Sequence, residues 1–239
     1  ELAIDLPLMA IVLVWFAVPD WRRRLTTLGV IFLAATVVVA PWVARNLYQF
    51  DRPVLLSSGL GIALAYSNCD RVYSDGERLG YWEYPCGQPP PVAADASIEE
   101  AEYRKQALAY MRNHKRRLPI VMTARALREW SFYHPNFQTA LDVYEGRDRW
   151  VSRLGFAQYY GLLPLGAVGF VSMRRRRVPT WPLTALFVGV TVAAVVTYGT
   201  TRFRAPAEVG LVIFAAFGID AVARAITSHG AGHASGGST

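Results

Sequence analysis

Long apolar runs alternate with arginine clusters along this chain. Residues 2–18 are apolar and are followed by Trp21-Arg22-Arg23-Arg24. Residues 28–43 form a second run, and the mostly polar stretch 45–150 follows. Residues 154–173 end at Arg174-Arg175-Arg176-Arg177, and 181–198 and 209–223 complete the series. Each run approaches the ~20 helical residues that cross a ~30 Å hydrocarbon layer. In that layer every backbone polar group must be satisfied within its own segment, which favours helices. The pattern predicts a mainly α fold. It is a polytopic helical membrane bundle of about five transmembrane helices with an external α-rich insert.

The chain has 239 residues, 53% of them hydrophobic, and a formal net charge of +7. In a soluble protein that basic excess would point to nucleic acid. Here the arginines flank apolar runs instead of tiling one face, which argues against nucleic acid. Arginines in short loops orient spans with those loops in the cytoplasm. Both clusters are therefore expected inside, and the N-terminus and insert outside. The resulting organisation is two transmembrane helices in 1–44, an external, periplasmic-side domain in 45–150, three transmembrane helices in 151–226, and a cytoplasmic tail in 227–239. From residue 230 the tail is small and polar, which predicts disorder. The expected location is the inner (plasma) membrane, multi-pass. The first span is not a signal peptide, because its positive charges follow the apolar run. Five spans starting outside are unusual, so the chain is read as the C-terminal piece of a longer membrane protein.

Cys69 and Cys86 both fall in the external insert. An oxidising compartment permits a bridge, and closing so short a loop is worth about 3 kcal/mol. Two free thiols are the other reading. Pro89-Pro90-Pro91 divides the insert. Beyond it, Ser97 with Glu100 fits a capping box that opens a helix carrying Leu108, Tyr110 and Met111. A basic turn, Asn113-His114-Lys115-Arg116-Arg117, leads to a second helix with Leu118, Val121, Leu127 and Trp130 at helical spacings. The economical picture is a helical pair packed on the mouth of the bundle. Arg125 and Arg128 fall opposite the apolar face of the second helix. They fit an interfacial helix with snorkelling arginines, or a wall for an anionic lipid-linked substrate.

Thr200-Thr201-Arg202-Phe203-Arg204-Ala205-Pro206 lies in a short external loop, against the charge trend. Pro206 favours an extended Ala205. In an extended segment Arg202 and Arg204 can reach one phosphate, where guanidinium forks bind well. Attraction to ordinary lipid headgroups is the alternative. Trp42 is an interface anchor at the outer end of the second span; Arg45 and Asn46 beside it either line a site or cap the span. The chain has no Walker loop, GxGxxG, HExxH or CxxC pair. His114, His134 and His229 stand apart and read as structural. Asp70, Asp75, Glu77 and Glu83 lie near the cysteines, but no spacing singles one out as a base. Asp5 is the acid nearest the outer end of the first span. No cofactor follows from these residues, and a divalent metal stays open.

Asn68-Cys69-Asp70-Arg71-Val72-Tyr73, Leu79-Gly80-Tyr81-Trp82 with Cys86, Arg116-Arg117-Leu118-Pro119 with Ala124-Arg125, and Tyr198-Gly199 through Arg202-Phe203-Arg204-Ala205-Pro206 form an ordered set. Together, over residues 41–220, they resemble the C-terminal half of actinobacterial membrane glycosyltransferases of family 39. That family is similar to protein mannosyltransferases and to the aminoarabinose transferase of lipid A. The resemblance implies a GT-C fold and transfer of a sugar from a polyprenyl-phosphate donor to a cell-envelope glycan, lipid or protein acceptor on the outer face. The family's aspartate pattern sits in a first external loop with no counterpart here, so no catalytic residue is carried over, and this piece alone is expected to be inactive.

The implied partners are the lipid-linked donor, membrane lipids and the acceptor. Charge on the departing phosphate suits arginines at the membrane surface; Arg202 and Arg204 lead, followed by Arg45 with Asn46. The rival reading is a non-enzymatic assembly or transport subunit with an external binding domain. Transport is disfavoured, because Pro164 and Gly189 interrupt spans without the intramembrane charge that transporters carry.

Overall fold

A computed structural model describes residues 2–87 and 95–234, without the side chains of 2–6, 8, 85 and 229–234. The described residues are helical, with no strand among them. The elements are α1 (Leu2–Ala17), α2 (Trp21–Gln49), α3 (Leu60–Tyr66), α4 (Asp70–Tyr73), α5 (Ala96–Asn113), α6 (Leu118–Glu129), α7 (Pro135–Tyr144), α8 (Arg149–Arg175), α9 (Trp181–Val196) and α10 (Ala205–Ala234). Two 3-10 turns, Tyr84–Cys86 and Thr201–Arg204, complete the set. Pro89-Pro90-Pro91, and the side chains of Asp5 and His229, lie outside the described residues.

Three helices are long and apolar enough to cross a membrane: Trp21–Gln49, Arg149–Arg175 and Thr201–Ser228. α1 and α9 have 16 residues each. At 1.5 Å per residue that is roughly 24 Å, short of the ~30 Å layer. The tail differs from expectation, because α10 runs through 230 to Ala234.

α8, α9 and α10 form the packed bundle. A Cβ on Gly169 of α8 would collide with the backbone of Phe214, and one on Gly218 of α10 with the backbone of Leu165. Only glycine lets these two backbones approach so closely. Lipid is as apolar as a helix face, so helices in it associate through such close packing. Phe16 stacks on Trp181 with ring centres 5.0 Å apart, and Arg176 pairs with Asp220 at 3.1 Å. These contacts bring Arg22–Arg24 and Arg174–Arg177 to one end of the bundle. The lobe built from α3 to α7 occupies the other end.

The lobe has its own core: Val72, Tyr73, Leu79, Val121 and Ala124. Cys69 and Cys86 pack against it and are joined by a disulfide, with Cα atoms 5.4 Å apart. α5 is capped by Asp95, whose Oδ1 accepts from the Ser97 amide at 2.9 Å. This corrects the capping box expected of Ser97 and Glu100. The Glu100 carboxylate instead accepts from the Gly61 amide at 2.7 Å, tying α5 to α3.

α6 departs furthest from the sequence reading. Its arginines face inward: Arg125 is 1% exposed and Arg128 3%, while Leu127 is 38% exposed. That overturns a snorkelling interfacial helix. The guanidinium of Arg125 donates to the carbonyls of Ser67 (2.6 Å) and Val195 (3.1 Å) and to Asn68 Oδ1 (3.2 Å). Arg128 Nε donates to the Leu79 carbonyl at 2.6 Å. The helix end dips beside α9, where Trp130 Nε1 donates to Thr191 Oγ1 at 3.0 Å and its ring stacks on Phe187. α7, which the sequence did not announce, then leads the chain back to α8.

Candidate functional site

Gly80 takes a φ of +75°, and a Cβ there would crowd the Arg125 amide. Its carbonyl accepts from the Gly199 amide at 2.9 Å. A Cβ on Gly199 would in turn strike the Arg125 backbone. Two glycines thus let the Leu79-Gly80 turn and the Tyr198-Gly199 turn clasp α6 at Ala124-Arg125. Tyr73 closes the group, donating its hydroxyl to Asn68 Oδ1 at 2.5 Å. Segments far apart in sequence meet here.

Burial lowers both guanidiniums of α6 to about 10. Desolvation is the main cause, opposed by Tyr73 for Arg125 and by Tyr133, Tyr81 and Glu77 for Arg128. Both remain cations at neutral pH. Arg128 lies over the rings of Tyr81, Tyr133 and Phe137, at 5.1–5.7 Å from their centres. Rings substitute in part for the water that this cation has lost. Burial also pushes the Tyr81 hydroxyl up to about 12, helped by Glu145, Tyr198 and Asp142 and opposed by Arg128.

Below this junction a cleft of about 330 Å³ opens between α8 and α10, closed off by the end of α7 and the Thr201–Arg204 turn. Val151, Phe156 and Leu162 of α8 and Leu211 and Val212 of α10 make its apolar walls. Asp142, Arg147, Tyr159, Arg204 and Glu208 supply its polar groups. Arg204 is 6% exposed. Its Nε donates to Glu208 Oε1 at 2.7 Å, and its Nη1 donates to Ser131 Oγ (2.7 Å) and to the Glu129 carbonyl (3.3 Å). Its plane lies 3.7 Å from the Tyr159 ring centre. The Tyr159 hydroxyl is hydrogen-bonded to the same guanidinium, and Arg204 lines the cleft. Ser152, another lining residue, has a buried hydroxyl without a partner.

The arginine held here is fixed by its surroundings. Ser131, with φ of +60°, turns the chain at the end of α6 so that its hydroxyl meets Arg204. Tyr159 and Tyr160 donate to the carbonyls of Trp130 and Ser131 at 3.2 and 2.6 Å, pinning that turn to α8. Non-glycine residues at positive φ persist only where neighbours over-determine them.

The sequence-selected residues fare differently. Arg202 and Arg204 do not form an extended pair, because Thr201–Arg204 is a 3-10 turn. Arg202 is exposed and Arg204 is drawn inward by Glu208, Ser131 and Tyr159. Arg45 and Asn46 lie apart from the cleft, on α2. Asn46 is 2% exposed; it accepts from Arg45 Nη1 (3.2 Å) and donates to the Leu55 carbonyl (3.3 Å). Trp42 Nε1 donates to the Leu56 carbonyl. These three residues tie the end of α2 to the loop that follows.

Three of the four acids near the disulfide are also engaged. Asp70 accepts from the Tyr110 hydroxyl at 2.6 Å, Asp75 pairs with Arg117, and Glu83 pairs with Arg71 and Arg78. Among the described residues no group of three or more His, Cys, Asp or Glu side chains is arranged to hold a metal.

Sequence reasoning missed Asp142, Arg147, Tyr159 and Glu208. Only Glu208 left a signal, its i,i+4 spacing from Arg204 on the helix that follows the turn. No family model, curated protein or solved structure matches the chain.

Proposed function

We propose that the chain serves an integral-membrane glycosyltransferase of the GT-C type, as the part holding the lipid phosphate of a polyprenyl-phosphate sugar donor at the outer face of the inner membrane. The observation that carries this reading is the cleft between α8 and α10. Apolar walls within two long apolar helices, with a buried arginine lining the cleft at its polar end, suit a prenyl chain ending in phosphate. The resemblance to family 39 supports it too, because its segments are those that clasp α6 beside the cleft. In this reading α1 and α9 also cross, giving five spans, and the lobe faces the acceptor. A catalytic base is not assigned.

The test uses the full-length enzyme in its membrane and a photoreactive prenyl-phosphate sugar donor. Crosslinks should map to α8 and α10 around Phe156 and Val212. Arg204→Gln and Arg147→Gln should each lower donor labelling and sugar transfer about tenfold to hundredfold, the loss of one charge-assisted bond. Arg204→Lys should recover only part, because it lacks the fork. Arg202→Gln should stay within about twofold of the parent, since its side chain is already solvated. Equal losses for Arg202→Gln and Arg204→Gln would remove the cleft from the reading. Absence of any sugar transfer would remove the reaction itself.

A further inference from the structure

The arginine end of the bundle carries a second groove between α8 and α10, of about 510 Å³. Its walls are Ala167, Val168 and Val171 of α8 and Ala221 of α10, and its end is formed by Arg175 and Arg176. The small side chains of Ala167 and Ala221 leave the channel open along the helices. Arg175 has no acidic partner among the described residues, and Arg176 shares Asp220 with Arg224. Stacking of Phe16 on Trp181 brings Arg22–Arg24 towards the same end. The groove therefore joins an apolar trough to an uncompensated positive charge.

We infer that this groove binds one anionic glycerophospholipid from the leaflet at the arginine end. An acyl chain would lie along Val168 and Val171, and the phosphodiester would meet Arg175 and Arg176. The charge selects the occupant. A zwitterionic headgroup would set its own cation among arginines, whereas a phosphatidylglycerol headgroup brings only negative charge. Basic pockets between spans at the cytoplasmic side are suited to anionic headgroups. The inference rests on the membrane placement of α8 and α10 and not on sugar transfer, so it stands or falls apart from the proposed reaction.

The test is native mass spectrometry of the full chain, with palmitoyl-oleoyl phosphatidylglycerol or the matching phosphatidylcholine added in known amounts. Phosphatidylglycerol should be retained selectively at low occupancy, as a single adduct. Arg175→Gln with Arg176→Gln should weaken that retention roughly thirtyfold, about fivefold for each charge lost. Asp220→Asn keeps both arginines and frees Arg176, so it should strengthen retention about twofold to fivefold. Arg22→Gln with Arg23→Gln removes two charges from the same face but outside the groove, and should change retention by less than about twofold. An equal loss in that control pair would mean a diffuse surface potential and overturn the site. Equal retention of phosphatidylcholine, no retained lipid, or a second protein copy in place of lipid would each overturn it as well.

Discussion

Gly169 and Gly218 do for the helical bundle what Arg125 and Arg128 do for the lobe. In the bundle, two backbones touch because side chains are missing. In the lobe, long cationic side chains reach carbonyls on Ser67, Leu79 and Val195 that no neighbouring backbone could satisfy. The contrast is the one that lipid around the bundle and water around the lobe would produce. Lipid offers no hydrophobic gain for helix contact, so closeness of packing decides. Water offers that gain freely but competes for every polar group, so a lobe poor in regular tertiary hydrogen bonds needs buried anchors and a disulfide. The two systems meet at Gly199, whose missing side chain admits the backbone of Arg125.

The comparison breaks most visibly at Gly169. Gly169→Leu drives a side chain into the Phe214 backbone, and should destabilise the α8–α10 pair by about 3 kcal/mol or more. Thermal unfolding in detergent should show the bundle transition falling while the disulfide-bonded lobe keeps its protection from exchange. A single joint transition, unchanged in midpoint, would mean that the helices do not rely on this approach.

Next in size is the bridge. Reduction, or Cys69→Ser with Cys86→Ser, should cost the lobe about 3 kcal/mol, as expected for a short closed loop. Proteolysis should then cut between α3 and α5 and spare α8 to α10. Mass spectrometry of non-reduced peptides should recover the two cysteines joined.

Arg125→Met tests the anchor itself. It leaves the Ser67 and Val195 carbonyls without their donor, for an expected loss of roughly 2 kcal/mol. The lobe should open away from α9, seen as faster exchange at α6, with the bundle transition unmoved. If exchange at α6 is unaltered, the guanidinium is packing rather than fastening.

The smallest effect is alkaline. Tyr81 has a folded value raised to about 12 against an ordinary 10.0. A group raised on folding contributes stability that is full below the unfolded value and is lost as pH rises through the folded one. The contribution of Tyr81 should therefore be lost between about pH 10 and 12, and Tyr81→Phe should remove that part of the pH dependence while leaving the opposing part from Arg125 and Arg128. The bundle, measured in the same samples, should not follow Tyr81.

The sequence already carried the helical class, the long apolar helices around α2, α8 and α10, and the arginine clusters that share one end. Apolar length and short-range charge are enough for that, because a bilayer acts on one segment at a time. It also carried a cysteine pair confined to the lobe. Only the tertiary structure decided which arginines turn inward. Arg125 and Arg128 read as solvated by their charge, although spacings of four and seven from Val121 put them on its buried face. They are buried because Ser67, Leu79 and Val195 deliver carbonyls, and Tyr81, Tyr133 and Phe137 deliver rings, from distant parts of the chain. The same holds for Arg202 and Arg204, whose one local difference is the Glu208 four residues beyond Arg204. One meets Glu208, Ser131 and Tyr159 and the other meets solvent. Periodicity describes the faces of a helix, whereas burial of a charge depends on partners that only the fold brings within hydrogen-bonding distance.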